Sequence, residues 1–189
     1  EGIEITSLNI SEDGNWAVFV RGGDHGSNSA ARPIQSNSLL KNGTIAVYSV
    51  NLKTSVLKLL DGGNFPIINP NSKQVIYVKN GNLMAVAVDG STKPHSFIED
   101  RGVLRQYSWS PDGKKMIFTS RRESHSFIGL YEEGSANIKW IMPSYHKDDF
   151  PVWSPDGKKI AFVRQDGNSS GRDSAHVKIE SKWHAIVYD

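Results

Sequence analysis

The segment Gly167-Asn-Ser-Ser-Gly171 has the Gly-x-Ser-x-Gly spacing of a serine nucleophile held on a sharp turn. Such an elbow needs a buried strand directly before it and a helix directly after it, so that the hydroxyl stands clear at the top of a sheet. Here Arg164-Gln165-Asp166 come before and Arg172-Asp173-Ser174 continue a polar stretch. The segment, Ser169 included, therefore reads as a connection between strands. Asp173, His176 and His184 supply an acid and imidazoles on paper, but a triad is defined by geometry and not by nearness along the chain. No catalytic residue is assigned.

The remaining titratable groups are as plain. His25, His95, His125, His146, His176 and His184 lack the close spacing of a zinc helix, and the chain has no Cys to supply a thiolate. Asp24-His25-Gly26 and His146-Lys-Asp-Asp149 are polar but match no calcium loop. No Gly-rich phosphate cradle occurs, so neither a metal nor another cofactor is expected. Glu132-Glu133 sit in Tyr131-Glu-Glu-Gly-Ser-Ala-Asn137, the composition of a solvated hairpin turn. The net charge of +2 gives no basic face for nucleic acid, and no apolar run approaches the ~20 residues of a membrane helix. A hydrophobic fraction of 38% is enough to build a core across 189 residues.

The elements that carry these residues follow from an internal repeat. Trp109-Ser-Pro-Asp-Gly-Lys-Lys-Met-Ile-Phe-Thr119 and Trp153-Ser-Pro-Asp-Gly-Lys-Lys-Ile-Ala-Phe-Val163 are nearly identical. Weaker copies run from Ile10 to Val20 and from Ile68 to Val78. The anchors at 11, 69, 110 and 154 are spaced by 58, 41 and 44 residues, and a period of ~40–45 is that of a four-stranded propeller blade. A polar insert from Asp24 to Asn42 accounts for the long first interval.

Ser-Pro-Asp-Gly is turn chemistry: Pro presets φ, Asp bonds its own backbone and Gly accepts a positive φ. One strand should end at Ile10, Ile68, Trp109 or Trp153. A second should follow at Ala17–Val20, Val75–Val78, Met116–Phe118 and Ile160–Val163. Third strands are expected at Ile45–Val50, Leu83–Val88, Phe127–Tyr131 and Ala185–Tyr188, and mixed fourth strands near Val56–Leu60, His95–Ile98 and Lys139–Met142. The second and third runs are nearly continuous in apolar residues, not alternating, as in strands covered on both faces. Trp109 and Trp153 occupy the places of Ile10 and Ile68, which favours packing between blades over ligand stacking. Trp16, Trp140 and Trp183 fall outside this register.

The fold class is thus all-β, a single propeller domain over 1–189 with blades at about 1–61, 62–100, 101–144 and 145–189. The fourth blade stops in its third strand, and closed propellers carry about four to eight blades. An incomplete propeller from a longer chain is the expectation. Apolar faces would then lie open on Ala17–Val20 with Ile45–Val50 and on Ile160–Val163 with Ala185–Tyr188. Self-association through them, two copies closing a ring of eight, is the consequence expected.

Tyr107-Ser-Trp-Ser-Pro-Asp-Gly-Lys-Lys and Pro151-Val-Trp-Ser-Pro-Asp-Gly-Lys-Lys-Ile-Ala-Phe resemble the repeat of TolB-type propellers. The same repeat resembles that of the amino-terminal propellers of the prolyl oligopeptidase family of serine peptidases, including dipeptidyl peptidase IV-like and acylaminoacyl-peptidase-like members. Ile5–His25 resembles the opening of bacterial peptidase propellers, and Arg121–Tyr131 a blade of the same group. The peptidase resemblance implies a non-catalytic propeller that caps an α/β-hydrolase domain of the same parent chain and admits short peptides. It also implies a periplasmic or secreted location, with any signal peptide outside this sequence. In that family a pair of acids holds the substrate's amino terminus, which would give Glu132 and Glu133 a role in charge-assisted binding. The competing resemblance, to TolB, implies a protein-binding propeller of the bacterial envelope.

Overall fold

Each Ser-x-Asp-Gly turn is a closed hydrogen-bond unit, and the strands are laid out between such units. In the computed structural model, which describes residues 5–22, 45–71, 73–135, 137–166 and 182–189, the turn at Ser110 shows the pattern. The Ser110 hydroxyl donates to Asp112 Oδ1 at 2.6 Å and accepts the Lys115 N–H at 2.9 Å, while Asp112 accepts the Lys114 N–H at 3.1 Å. Gly113 takes φ +69° and donates its N–H to Ser110 O at 2.8 Å. Ser11 with Asp13, and Ser154 with Asp156, repeat the side-chain contact at 2.6 Å each. The second copy has no Gly, and there the positive φ of +50° falls on Lys73.

Ser110 is buried, so Ser110→Ala leaves the Lys115 N–H without its acceptor and should cost about 1–3 kcal/mol. A shift of the urea midpoint checks this. No measurable loss would mean that the backbone alone holds the turn.

The strands are β1 (Ile5–Ile10), β2 (Trp16–Arg21), β3 (Ala46–Asn51), β4 (Leu57–Gly62), β5 (Asn64–Ile68), β6 (Gln74–Lys79), β7 (Asn82–Ala87) and β8 (His95–Ile98). They continue as β9 (Val103–Trp109), β10 (Lys115–Arg121), β11 (Ser126–Glu132), β12 (Lys139–Ile141), β13 (Lys147–Trp153), β14 (Ile160–Gln165) and β15 (Trp183–Tyr188). The described residues contain no helix. Antiparallel meanders β1-β2-β3-β4 and β5-β6-β7-β8 form the first two blades. In the third, β9-β10-β11-β12 pair in order, and the parallel partners Ser126 and Lys147 link β11 to β13 of the last blade, β13-β14-β15.

The chain divides into two compact units, Glu1–Glu99 and Asp100–Asp189. In the first, Val18, Val20 and Val47 pack on Ile68, Val75, Tyr77, Val86 and Val88 of the second blade. In the second, Ile117, Ile128 and Ile141 meet Ile160 and Phe162, with Trp153, Ile186 and Tyr188 at the margin. Trp153 thus packs between blades, as its register predicts. Trp16 packs on the first core, Trp140 lies edge-on to Phe118 and Phe127, and Trp183 is exposed.

All four first strands are bent alike. Ser7, Phe65, Gln106 and Phe150 each lie three residues before the strand end and take φ of 55°, 55°, 51° and 58°. The ladder to the second strand slips at that point in every blade, which is a β-bulge with a left-handed residue.

Candidate functional site

Ser169, Asp173, His176 and the whole of Gly167–Gly171 lie outside the described residues, as does His25. His184 is on β15, its Nε2 3.4 Å from Asp166 Oδ2, and His146 Nδ1 stands 3.8 Å from the other oxygen of Asp166. This His-Asp-His row is half-exposed, and the His146 N–H donates to Ser144 Oγ at 3.3 Å. Among the described residues, no group of three or more His, Asp or Glu is arranged to hold a metal ion. Ser124 Oγ contacts His125 Nδ1 at 3.1 Å, but the two are chain neighbours in an exposed turn, and His125 lies edge-on to Phe127.

Glu132 ends β11 and Glu133 starts the hairpin to β12, both exposed. Glu132 pairs with Lys115 at 3.7 Å across the strand, a contact worth little at this exposure, and Glu133 donates its N–H to Lys114 O at 2.9 Å.

Three carboxylates near the starts of the first strands each gather polar partners of their own. Asp61 accepts the Tyr77 hydroxyl at 2.6 Å and the Lys79 ammonium at 2.8 Å. Asp100 accepts the Ser120 hydroxyl and both its oxygens face Arg122 Nη2 at 3.0 Å. Asp148, fully buried, takes two bonds from Arg164 at 2.7 and 2.9 Å. Gly63 and Gly102 follow the first two acids, and a Cβ on Gly63 would strike the Tyr77 ring and, on Gly102, Ser120 Oγ. Bare backbone is required there for the strand to pass so close.

Burial raises the Asp61 and Asp100 carboxyls. Bonds from Lys79 and Tyr77 to Asp61, and from Ser120, two backbone N–H groups and Arg122 to Asp100, outweigh it and hold both below the ordinary carboxylate value. A carboxyl depressed in the folded state stabilises the fold above its unfolded value near ~4 and loses that contribution as pH falls through the folded value. Melting temperature should thus stay level from pH 7 to about 5 and fall below about 4, less steeply in Asp100→Asn. An identical acid limb in the variant would remove Asp100 from this role.

Between β9 and β13 lies a second cluster. Gln106 Oε1 accepts from the Thr119 hydroxyl at 2.9 Å and from the Phe150 N–H at 3.1 Å, so one bulge residue anchors the next blade's bulge. Beside it, Asp149 faces Arg105 at 3.8 Å. Burial raises the Asp149 carboxyl, and attraction to Arg105 and Arg121 offsets that only in part. Phe150 and Val152 are exposed on the same strand. Cationic, acidic and apolar groups thus share a half-open rim. It presents no nucleophile with an adjacent base.

Sequence reasoning did not single out Asp61, Asp100, Arg105 or Gln106, and it met Asp148 and Asp149 only within the polar run His146-Lys-Asp-Asp149. Asp61-Gly62-Gly63 and Asp100-Arg101-Gly102 carry a shared Asp-x-Gly before a first strand, a signal that was available. Asp148 and Asp149 carry no such signal.

Repeated four-stranded antiparallel sheets opened by a bulged first strand define a β-propeller. The chain is similar to TolB of Acinetobacter baumannii, at 22% identity and TM-score 0.60 over 99% of this chain and 41% of that one. It is similar to the β-propeller domain of the Trilobed protease of Pyrococcus furiosus, at 10% identity and TM-score 0.65 over 100% of this chain and 55% of that one. It is also similar to the tricorn protease, at 12% identity and TM-score 0.61 over 99% of this chain and 18% of that one. At these identities the likeness is one of fold, and the chain spans well under two thirds of each. No family model and no curated protein sequence matches it.

Proposed function

We propose that this chain is the non-catalytic propeller portion of a larger serine peptidase of the prolyl oligopeptidase type, in its dipeptidyl peptidase IV-like branch. On this reading it caps a hydrolase domain borne elsewhere on the parent chain, restricts entry to short peptides and works in the bacterial envelope or outside the cell. The carrying observation is a fold likeness, over nearly the whole of this chain, to the β-propeller domain of the Trilobed protease and to the tricorn protease, at TM-scores of 0.65 and 0.61, in a chain built on the Ser-Pro-Asp-Gly repeat. The second reading, a TolB-like propeller that binds envelope proteins, is favoured by the higher identity of 22% to TolB of Acinetobacter baumannii.

A fluorophosphonate probe for activated serines separates the two. On the peptidase reading the isolated 189-residue chain stays unlabelled and the parent protein is labelled at a serine outside it. Ser169→Ala then leaves peptide hydrolysis by the parent essentially unchanged, whereas loss of a true nucleophile lowers turnover by several orders of magnitude. Glu132→Gln with Glu133→Gln tests the acid pair: as turn residues they leave KM for amino-terminal dipeptide substrates unchanged. A parent that is neither labelled nor hydrolytic supports the binding module.

A further inference from the structure

The basic side chains of the last three blades differ in what the fold gives them to bind. Lys79, Arg122 and Arg164 are each hydrogen-bonded to a carboxylate, at 2.8, 3.0 and 2.7 Å. Arg105 and Arg121 are not served in this way. Arg105 reaches Asp149 only at 3.8 Å, beyond hydrogen-bond length, and its buried Nε has no acceptor. Arg121 is exposed, and among the described residues its guanidinium meets Asp149 by charge attraction alone.

The two arginines stand together on one face of the third blade. Arg105 pairs with Thr119 across the ladder, and Arg121 follows Thr119 by two residues on β10. They are diagonal neighbours, with backbones roughly 7–8 Å apart, a gap that two long side chains can close. Lys147 lies two residues before Asp149 on β13 and is a third cation attracted to it. The next acid, Asp148, alternates to the opposite side of the strand and is taken by Arg164. Three cations therefore surround one acid. Asp149 Oδ1 is itself buried without a hydrogen bond, so this acid draws the guanidiniums toward it without using up their donors.

An apolar group completes the cluster. The bond from the Phe150 N–H to Gln106 Oε1 stands one residue on from both Arg105 and Asp149 and fixes the two strands there. Phe150 takes φ +58° at this bulge, and its side chain is exposed beside the charged pair. Phe65, at the same bulge place in the second blade, is exposed as well, so the exposure goes with the bulge.

We propose that Arg105 and Arg121 bind the carboxylate at the carboxy terminus of a peptide, with the apolar side chain of its last residue on Phe150. A guanidinium fork matches the two oxygens of a carboxylate, and the excess of cations over Asp149 leaves charge for one more anion. The exposed ring favours an anion carried on an apolar body over a small inorganic one. The site uses neither a nucleophile nor Glu132 and Glu133, so it stands or falls apart from the peptidase and TolB-like readings.

Calorimetry on the 189-residue chain with N-acetyl-Ala-Ala-Ala-Leu, whose amino terminus is uncharged, tests the site. Saturable binding is expected, at least tenfold weaker for the same peptide ended as a carboxamide. It should also weaken as the last residue is changed from Leu to Gly. Both comparisons use the unaltered chain, so folding plays no part in them. Arg121→Gln should lose at least tenfold in affinity with the melting temperature nearly unchanged, because the exposed guanidinium holds no bonded partner in the fold. Absence of saturable heat overturns the proposal, as does equal binding of acid and carboxamide or full binding by Arg121→Gln. So does equal binding of an amidated peptide with an internal Asp, or displacement by inorganic phosphate at a similar concentration, since either makes any anion sufficient.

Discussion

Replacing Asp148 by Ala is expected to cost about 3–5 kcal/mol of folding stability, because it leaves a largely buried guanidinium without its counter-charge. Asp148 is 0% exposed and the Arg164 side chain 13%. Arg164 spends two of its donors on Asp148 and a third on Met142 O at 2.6 Å, and it lies over the Phe162 ring. The bond to Asp148 is the first cause that favours its protonated form, and without that acid the guanidinium still stays charged because of its own high basicity. Beside the pair, the Ser126 hydroxyl donates to the main-chain carbonyl of Asp148 at 2.7 Å, a tie between the last two blades that does not depend on the carboxylate. Removing both charges, in Asp148→Leu with Arg164→Met, should restore much of the loss, because it is the unpaired charge that is expensive. Urea unfolding of the single and double variants measures the difference. A single-variant loss under about 1 kcal/mol would mean that water reaches Arg164 freely and that the pair is ornamental.

Gly129→Val is the second large effect. Gly129 lies directly across the ladder from Phe118, and a Cβ built on it falls inside contact distance of three atoms of that ring. The ring has nowhere to go: Phe118 is fully buried and stands edge-on to Trp140 with centroids 6.2 Å apart. Overpacking of this kind costs about 1–3 kcal/mol for Ala and more for Val, which adds two methyl groups at the same point. The double variant Gly129→Ala with Phe118→Leu should lose less than the two single losses combined, since the smaller side chain vacates the contested space. Strict additivity would mean that the two positions do not share that volume.

The two partners of that contact differ in how far they were readable. Phe118 stood out as the aromatic member of the repeat, matched by Phe19, Tyr77 and Phe162, and the second and third strands followed from the same turns. Gly129 gave no such sign, because its smallness answers to a ring on a neighbouring strand and not to a turn. The bulge residues were invisible for a related reason. Ser7, Phe65, Gln106 and Phe150 share a backbone conformation and no side-chain chemistry, so no residue pattern marks them. Fourth strands were placed from composition alone, and β12 emerged shorter than the apolar run around it. The chemistry of the rim between β9 and β13 depends on register across 44 residues, from Gln106 to Phe150, which local patterns do not encode.

The Ser-x-Asp-Gly turns also bear on how the molecule ages. Asp-Gly steps are the places where a peptide chain most readily closes a succinimide and reopens as isoaspartate, a reaction in which the following amide nitrogen attacks the side-chain carboxyl. Asp13-Gly14, Asp112-Gly113 and Asp156-Gly157 are three such steps. In each folded turn the attacking nitrogen is already occupied, donating to Ser11 O, Ser110 O or Ser154 O at 2.9, 2.8 and 2.9 Å. The carboxylate is held the other way by the Ser hydroxyl and a backbone N–H, and the latter is that of Asn15, Lys114 or Lys158 and not of the Gly. Ionisation adds to the protection, because the Ser bond keeps all three acids below the ordinary carboxylate value and the neutral acid is the better electrophile. Chemical damage at these steps is therefore gated by opening of the turn, and its accumulation over time records how often the first hairpin of the first, third and last blades comes apart.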